Sequence, residues 1–137
     1  MLAQGTYDAD YIADCRAQVE SDIAAFDNAS VENEGDDHAV DDLELSYFAA
    51  LVLALELRFV RREREPGAKV GALEEVRLVA DSLMTNGGRL LEPDGFTLDP
   101  ASSVLGLRPG DDIVVRYADF VRLSRAFFAE LESRYLD

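Results

Sequence analysis

The residues best suited by type and spacing to do chemistry lie in one short run, EGDDHAVDD, at positions 34–42. His38 and Asp42 are four residues apart, with Asp41 adjacent and Asp36 and Asp37 just before them. Imidazole and carboxylate ligands together can hold a divalent cation. The same run has the composition of a solvated acidic loop, so the expectation is no metal, with His38, Asp41 and Asp42 as the ligands if one were held. A second acidic set, Glu74, Glu75 and Asp81, suggests the carboxylate clusters of metal-dependent hydrolases. Such clusters need acids that converge inward from at least two helices. Helical spacing instead places Glu74 and Asp81 on a polar side, away from Leu73, Val76 and Leu83. Phosphate-cradling glycine patterns, zinc-ligand spacings and nucleophile elbows are absent from the sequence. The lone histidine lies far from Cys15, so no catalytic residue is assigned and no cofactor is expected.

The elements that would position these groups are mostly helical. Ile12, Cys15, Val19, Ile23 and Phe26 recur at steps of three and four, which predicts an amphipathic helix over residues 8–27 with Cys15 as a small buried hydrophobe. Residues 28–42 lack periodicity and read as an exposed acidic loop. The next stretch, LELSYFAALVLALELRFVRRERE, raises the question of a membrane anchor. Its uncharged run, 45–55, lies between Glu44 and Glu56 and falls short of the roughly 20 residues a spanning helix needs. On a helical wheel Phe48, Leu51, Val52, Leu53, Leu55, Leu57 and Phe59 occupy every sector, which predicts a central helix over 43–60, buried all round. RRERE at 61–65 reads as its solvated last turn, ended by Pro66 and Gly67.

A third helix is predicted over 71–85, with Leu73, Val76, Ala80, Leu83 and Met84 on its stripe and Asn86-Gly87-Gly88 as its stop. Pro93-Asp94-Gly95 signals a turn. The segment around 113–117 is ambiguous. A helix from Asp111 would gather Ile113, Tyr117 and Phe120 on one stripe, but the β-branched run Ile113-Val114-Val115 favours a strand. With Arg108-Pro109-Gly110-Asp111 as the turn, 104–107 and 113–117 are expected to form a small hairpin. The last predicted helix, 119–135, gathers Phe120, Val121, Ser124, Phe127, Phe128, Leu131 and Tyr135.

The expected fold is therefore mainly α, a four-helix bundle-like single domain over residues 1–137, with a central helix and a hairpin before the last helix. The formal charge is −15, from 28 Asp and Glu against 13 basic residues, of which only Lys69 is lysine. Acid excess with arginine kept and lysine nearly absent reads as the composition of a salt-in halophile. It opposes nucleic-acid and anionic-membrane partners. One cysteine permits no intramolecular disulfide, which fits a reducing, cytoplasmic setting, and residues 1–18 lack the basic and apolar regions of a secretory signal. The expected function is a non-catalytic protein-interaction or regulatory module, with a small metal-dependent hydrolase as the alternative. Three narrow stripes around an encircled helix leave too little cover for the aromatics of the last one. Phe120, Phe127, Phe128, Leu131 and Tyr135 are thus the expected interface of a two-fold homodimer.

Overall fold

A computed structural model of the chain describes residues 6–32, 35, 37–60, 71–93 and 103–135. Among the described residues there are four helices: α1 (Ala9–Glu32), α2 (Asp37–Arg58), α3 (Ala72–Thr85) and α4 (Tyr117–Tyr135). α2 and α4 each pack on the other three helices, whereas α1 and α3 do not touch. The bundle is thus an α2–α4 pair with α1 on one side and α3 on the other. The expected RRERE turn, the Asp94-Gly95 turn and residues 1–5 lie outside the described residues.

α1 buries the five residues its periodicity names, Ile12, Cys15, Val19, Ile23 and Phe26. Both α1 and α2 run further than expected, so most of the predicted acidic loop is helical: α1 continues to Glu32 and α2 begins at Asp37. Tyrosine hydroxyls tie the two helices in antiparallel order, Tyr11 donating to the Arg58 carbonyl at 2.5 Å and Tyr47 to the Asp22 carbonyl at 2.8 Å. Aromatic rings close both ends of the core. Tyr7, Phe59, Phe127, Phe128 and Tyr135 meet at one end, and Phe26, Phe48, Tyr117 and Phe120 at the other. Centroid separations of 4.9 to 6.2 Å, many of them edge-to-face, suit the ring quadrupoles.

Four expectations are corrected. The helix buried almost all round is α3 rather than α2: Ala72 to Ala80 and Ser82 are all buried, while Leu43, Leu57 and Val60 are exposed. The proposed α4 interface is interior. Phe120, Phe127 and Leu131 are fully buried, and Phe128 and Tyr135 nearly so, because α1, α2 and α3 together cover that face within one chain. The hairpin between 104–107 and 113–117 does not form. The chain from Gly110 to Ile113 pairs instead with 88–90, through Leu90 N–H to the Asp111 carbonyl at 2.9 Å and Ile113 N–H to the Gly88 carbonyl at 2.8 Å. That contact amounts to one antiparallel bridge, Arg89 with Asp112, and no strand forms among the described residues.

The reason lies in where the backbone donors go. Val104 and Leu105 N–H both bind the Glu75 carboxylate, and Gly106 N–H binds Ser103 Oγ, so the first strand's donors are taken before any ladder can form. The turn itself is as expected: Asp111 N–H reaches the Arg108 carbonyl, and Gly110 takes the positive φ of 90° that the tight reversal needs. The fourth correction concerns the acids. Glu74, expected on a polar side with Asp81, is 4% exposed, as is its neighbour Glu75, whereas Asp81 is exposed as expected.

Candidate functional site

A buried carboxylate must be paired or hydrogen-bonded, and the buried acids among the described residues meet that demand in two ways. Glu75 accepts three donors: Ser103 Oγ at 2.7 Å and Leu105 N–H at 2.9 Å on one oxygen, Val104 N–H at 2.9 Å on the other. Glu74 on α3 and Glu56 on α2 converge on one guanidinium, Arg77, at 2.9 Å and 3.6 Å. Acids from two helices therefore do point inward, as a hydrolase centre would require. An arginine stands where the cation would be, and among the described residues no group of three or more metal-ligating side chains forms.

Two further acids act across the bundle. Glu130 of α4 accepts from Leu73 N–H at 3.0 Å and so caps the start of α3. Glu44 of α2 accepts from Tyr117 N–H at 2.9 Å and from Arg116 Nη1 at 3.2 Å, capping α4. A helix N-terminus offers unpaired N–H groups and a positive dipole end, both of which favour a carboxylate. Gly71 makes the first cap possible. A Cβ there would fall on the Glu130 carboxylate oxygens.

Of the metal candidates in the sequence, two side chains are described. Asp41 is exposed and pairs with Arg116 Nη1 at 3.5 Å, Asp42 is exposed, and the His38 side chain lies outside the described positions. Between α1 and α4 runs a groove of about 340 Å³ bordered by Arg16, Glu20, Ser124, Arg125, Phe128 and Glu132. Its charges balance: the Arg16 guanidinium pairs with Glu132 and lies 5.1 Å from the centre of the Phe128 ring. The Tyr11 and Tyr47 hydroxyls are raised above the ordinary tyrosine range of 10.0 chiefly by burial, which keeps both as hydrogen-bond donors.

The remaining feature is the outer side of α2. Leu43, Ser46, Ala50, Leu53 and Leu57 follow at steps of three and four, with Val60 next in the turn beyond the helix. Leu57 is 70% exposed, Val60 50% and Leu43 46%, Ser46 and Ala50 are exposed, and Leu53 is half-buried. The opposite side carries Phe48, Val52, Leu55 and Phe59, all fully or almost fully buried. The helix thus has two apolar stripes rather than one broad one. Sequence reading merged them, because a stripe facing the core and a stripe facing water look alike in composition; the three-four spacing of 43, 46, 50, 53 and 57 was the signal that could have separated them.

No family model matches the chain, and no curated protein or solved structure matches it.

Proposed function

We propose that this chain is a non-catalytic interaction module whose docking face is the outer stripe of α2. The observation that carries the reading is the exposure of Leu43, Leu57 and Val60 along one side of a helix whose other side already fills the core. Nothing in the fold needs those three leucine and valine side chains outside, and apolar residues aligned on one exposed face mark a contact surface more often than scattered ones do. The hydrolase alternative has less support, because the acids that converge are taken up by Arg77 and by backbone N–H groups. Among the described residues no helix is long and apolar enough to cross a membrane. A cytoplasmic, salt-rich setting and partners other than nucleic acid belong to the same proposal, supported by the charge of −15 and the single, buried cysteine.

The test compares the full immobilised chain with Leu57→Asp. A defined protein, the chain itself included, should be held by the first and lost by the second, with unchanged far-UV circular dichroism. Equal retention by both would remove α2 as the docking face.

A further inference from the structure

Of the three asparagines in the chain, Asn28, Asn33 and Asn86, only Asn86 is followed by glycine. We propose that Asn86 is a self-modifying site: when the end of α3 opens, the Gly87 amide attacks the Asn86 side chain and deamidates it, and the product cannot remake the cap it came from.

The chemistry needs an accessible backbone nitrogen with an amide carbon beside it. Asn86 and Gly87 are both exposed. Gly87 N–H has no hydrogen-bond partner among the described residues, so the attacking group is not already engaged. The approach is open as well, since a Cβ at Gly87 would meet nothing within 4 Å. In the step itself the Gly87 nitrogen bonds to Asn86 Cγ and the Cγ–Nδ2 bond breaks. Nδ2 leaves as ammonia, taking up the Gly87 amide proton, and a five-membered succinimide remains. Water then adds to one of the two ring carbonyls and the bond from that carbon to nitrogen opens. Opening at Cγ gives aspartate, and opening at the main-chain carbon gives isoaspartate. Water is the one co-reactant.

The fold holds this reaction back by geometry. Asn86 caps α3 with ψ of 22°, which turns the Gly87 nitrogen to the side of the Cα–C bond away from Cβ. No ring can close until that bond rotates. Three hydrogen bonds oppose the rotation: Asn86 N–H to the Ser82 carbonyl at 3.0 Å, Arg89 N–H to the Asn86 carbonyl at 3.2 Å, and Asn86 Nδ2 to the Arg89 carbonyl at 2.7 Å. All of them lie at a helix end, where local opening costs less than unfolding the core. Opening of the cap therefore sets the rate of the chemistry.

Once formed, the product keeps the cap open. A carboxylate has no proton to donate to the Arg89 carbonyl and sets a second acceptor against it. It also adds negative charge at the negative end of α3, whose last turn carries no basic residue. Isoaspartate goes further, inserting a methylene into the main chain between the two N–H groups, of residues 86 and 88, that share the Ser82 carbonyl. The disturbance reaches the adjoining crossing, because the same turn delivers Gly88 and Leu90 to Ile113 and Asp111.

The experiment incubates the full chain at mildly alkaline pH, folded and in urea, and follows the mass of the peptide containing Asn86. An aspartate-directed protease, which does not cut at isoaspartate, separates the two products. Asn86 should convert in both states, at least about tenfold more slowly in the folded chain, with Asn28 and Asn33 lagging behind it in urea. Asn86→Gln, whose ring needs an additional carbon, should stay unconverted at this position. Conversion absent from the folded chain, or equally fast in both states, would overturn the gated site. Asn86→Asp, the aspartate product made directly, should raise the unfolding equilibrium constant about tenfold and speed hydrogen exchange at the Leu90 and Ile113 amides. Exchange and stability unchanged from the parent would overturn the claim that the product holds the cap open.

Discussion

Glu75 does the work of a missing strand partner. Its two oxygens gather one hydroxyl and two backbone N–H groups from Ser103 to Leu105, and so hold a segment with no regular structure against α3. Glu75→Gln tests this. The amide replaces one acceptor with a donor that faces either Val104 N–H or the Ser103 and Leu105 pair, leaving at least one half-buried donor unmet. A loss of about 2–4 kcal/mol is expected, measured by urea unfolding, because hydrogen bonds to a charged group contribute more than neutral ones and an unsatisfied half-buried donor adds its own cost. The sequence offers no hint of this role. A glutamate on a helix next to another glutamate looks solvated, and only the remote donors at 103–105, 28 to 30 residues away, make its burial tolerable.

At the scale of elements, the helices lend one another their caps. Neither Gly71 nor Arg116 supplies the side-chain oxygen that an N-cap usually provides. Glu130 and Glu44 supply it from other helices, with Asp119 adding a local bond to Arg116 N–H at 3.0 Å. Gly71→Ala should cost about 1 kcal/mol, the loss of one cap, by displacing Glu130 from Leu73 N–H. The backbone there is extended, with φ −98° and ψ −171°, so alanine meets no conformational penalty. In a Glu130→Ala background the same change should therefore cost nothing further, and a chemical-denaturation double-mutant cycle reads the difference. A cycle that leaves Gly71→Ala equally costly in both backgrounds would place its effect elsewhere.

What was legible at this scale follows from where information is local. The stripe of α1 and most of that of α4 were readable, since residues three and four apart report one face. In α4, Leu123 takes the fully buried place assigned to Val121, which is only half-buried. The hairpin was misread because β-branched residues and a good turn specify two arms but not whether the first arm's amides are free. The α3 acids were misread for the matching reason, their partners being distant in sequence. Of the metal candidates, Asp41 and Asp42 are exposed and the His38 side chain lies outside the described positions; the α2 outer stripe was present in the sequence but hidden under the assumption that an apolar helix must be encircled.

For the molecule as a whole, charge sets the conditions under which it holds together. With 28 acids against 13 bases, mutual repulsion across a small surface opposes compaction until salt screens it. Among the described residues the ion pairs that salt also weakens lie mostly at the surface, such as Arg89 with Asp112 at 3.6 Å, and exposed pairs of this kind contribute little. The thermal midpoint should rise by about 10 °C between about 0.1 M and about 1 M KCl. Equal midpoints would remove the halophilic reading of the composition.

The borrowed caps also bear on how the chain comes off the ribosome. Translation delivers α3 before α4, yet the carboxylate that completes the start of α3 is Glu130, near the far end of α4. α4 in turn awaits Glu44 of α2, which has long since emerged. The same late helix brings Phe120, Phe127 and Leu131 to a core that the first three helices cannot close. A nascent chain stopped before Tyr117 thus has two helices with apolar faces open and a third without its cap. Closing the core and capping α3 therefore both wait for the synthesis of α4.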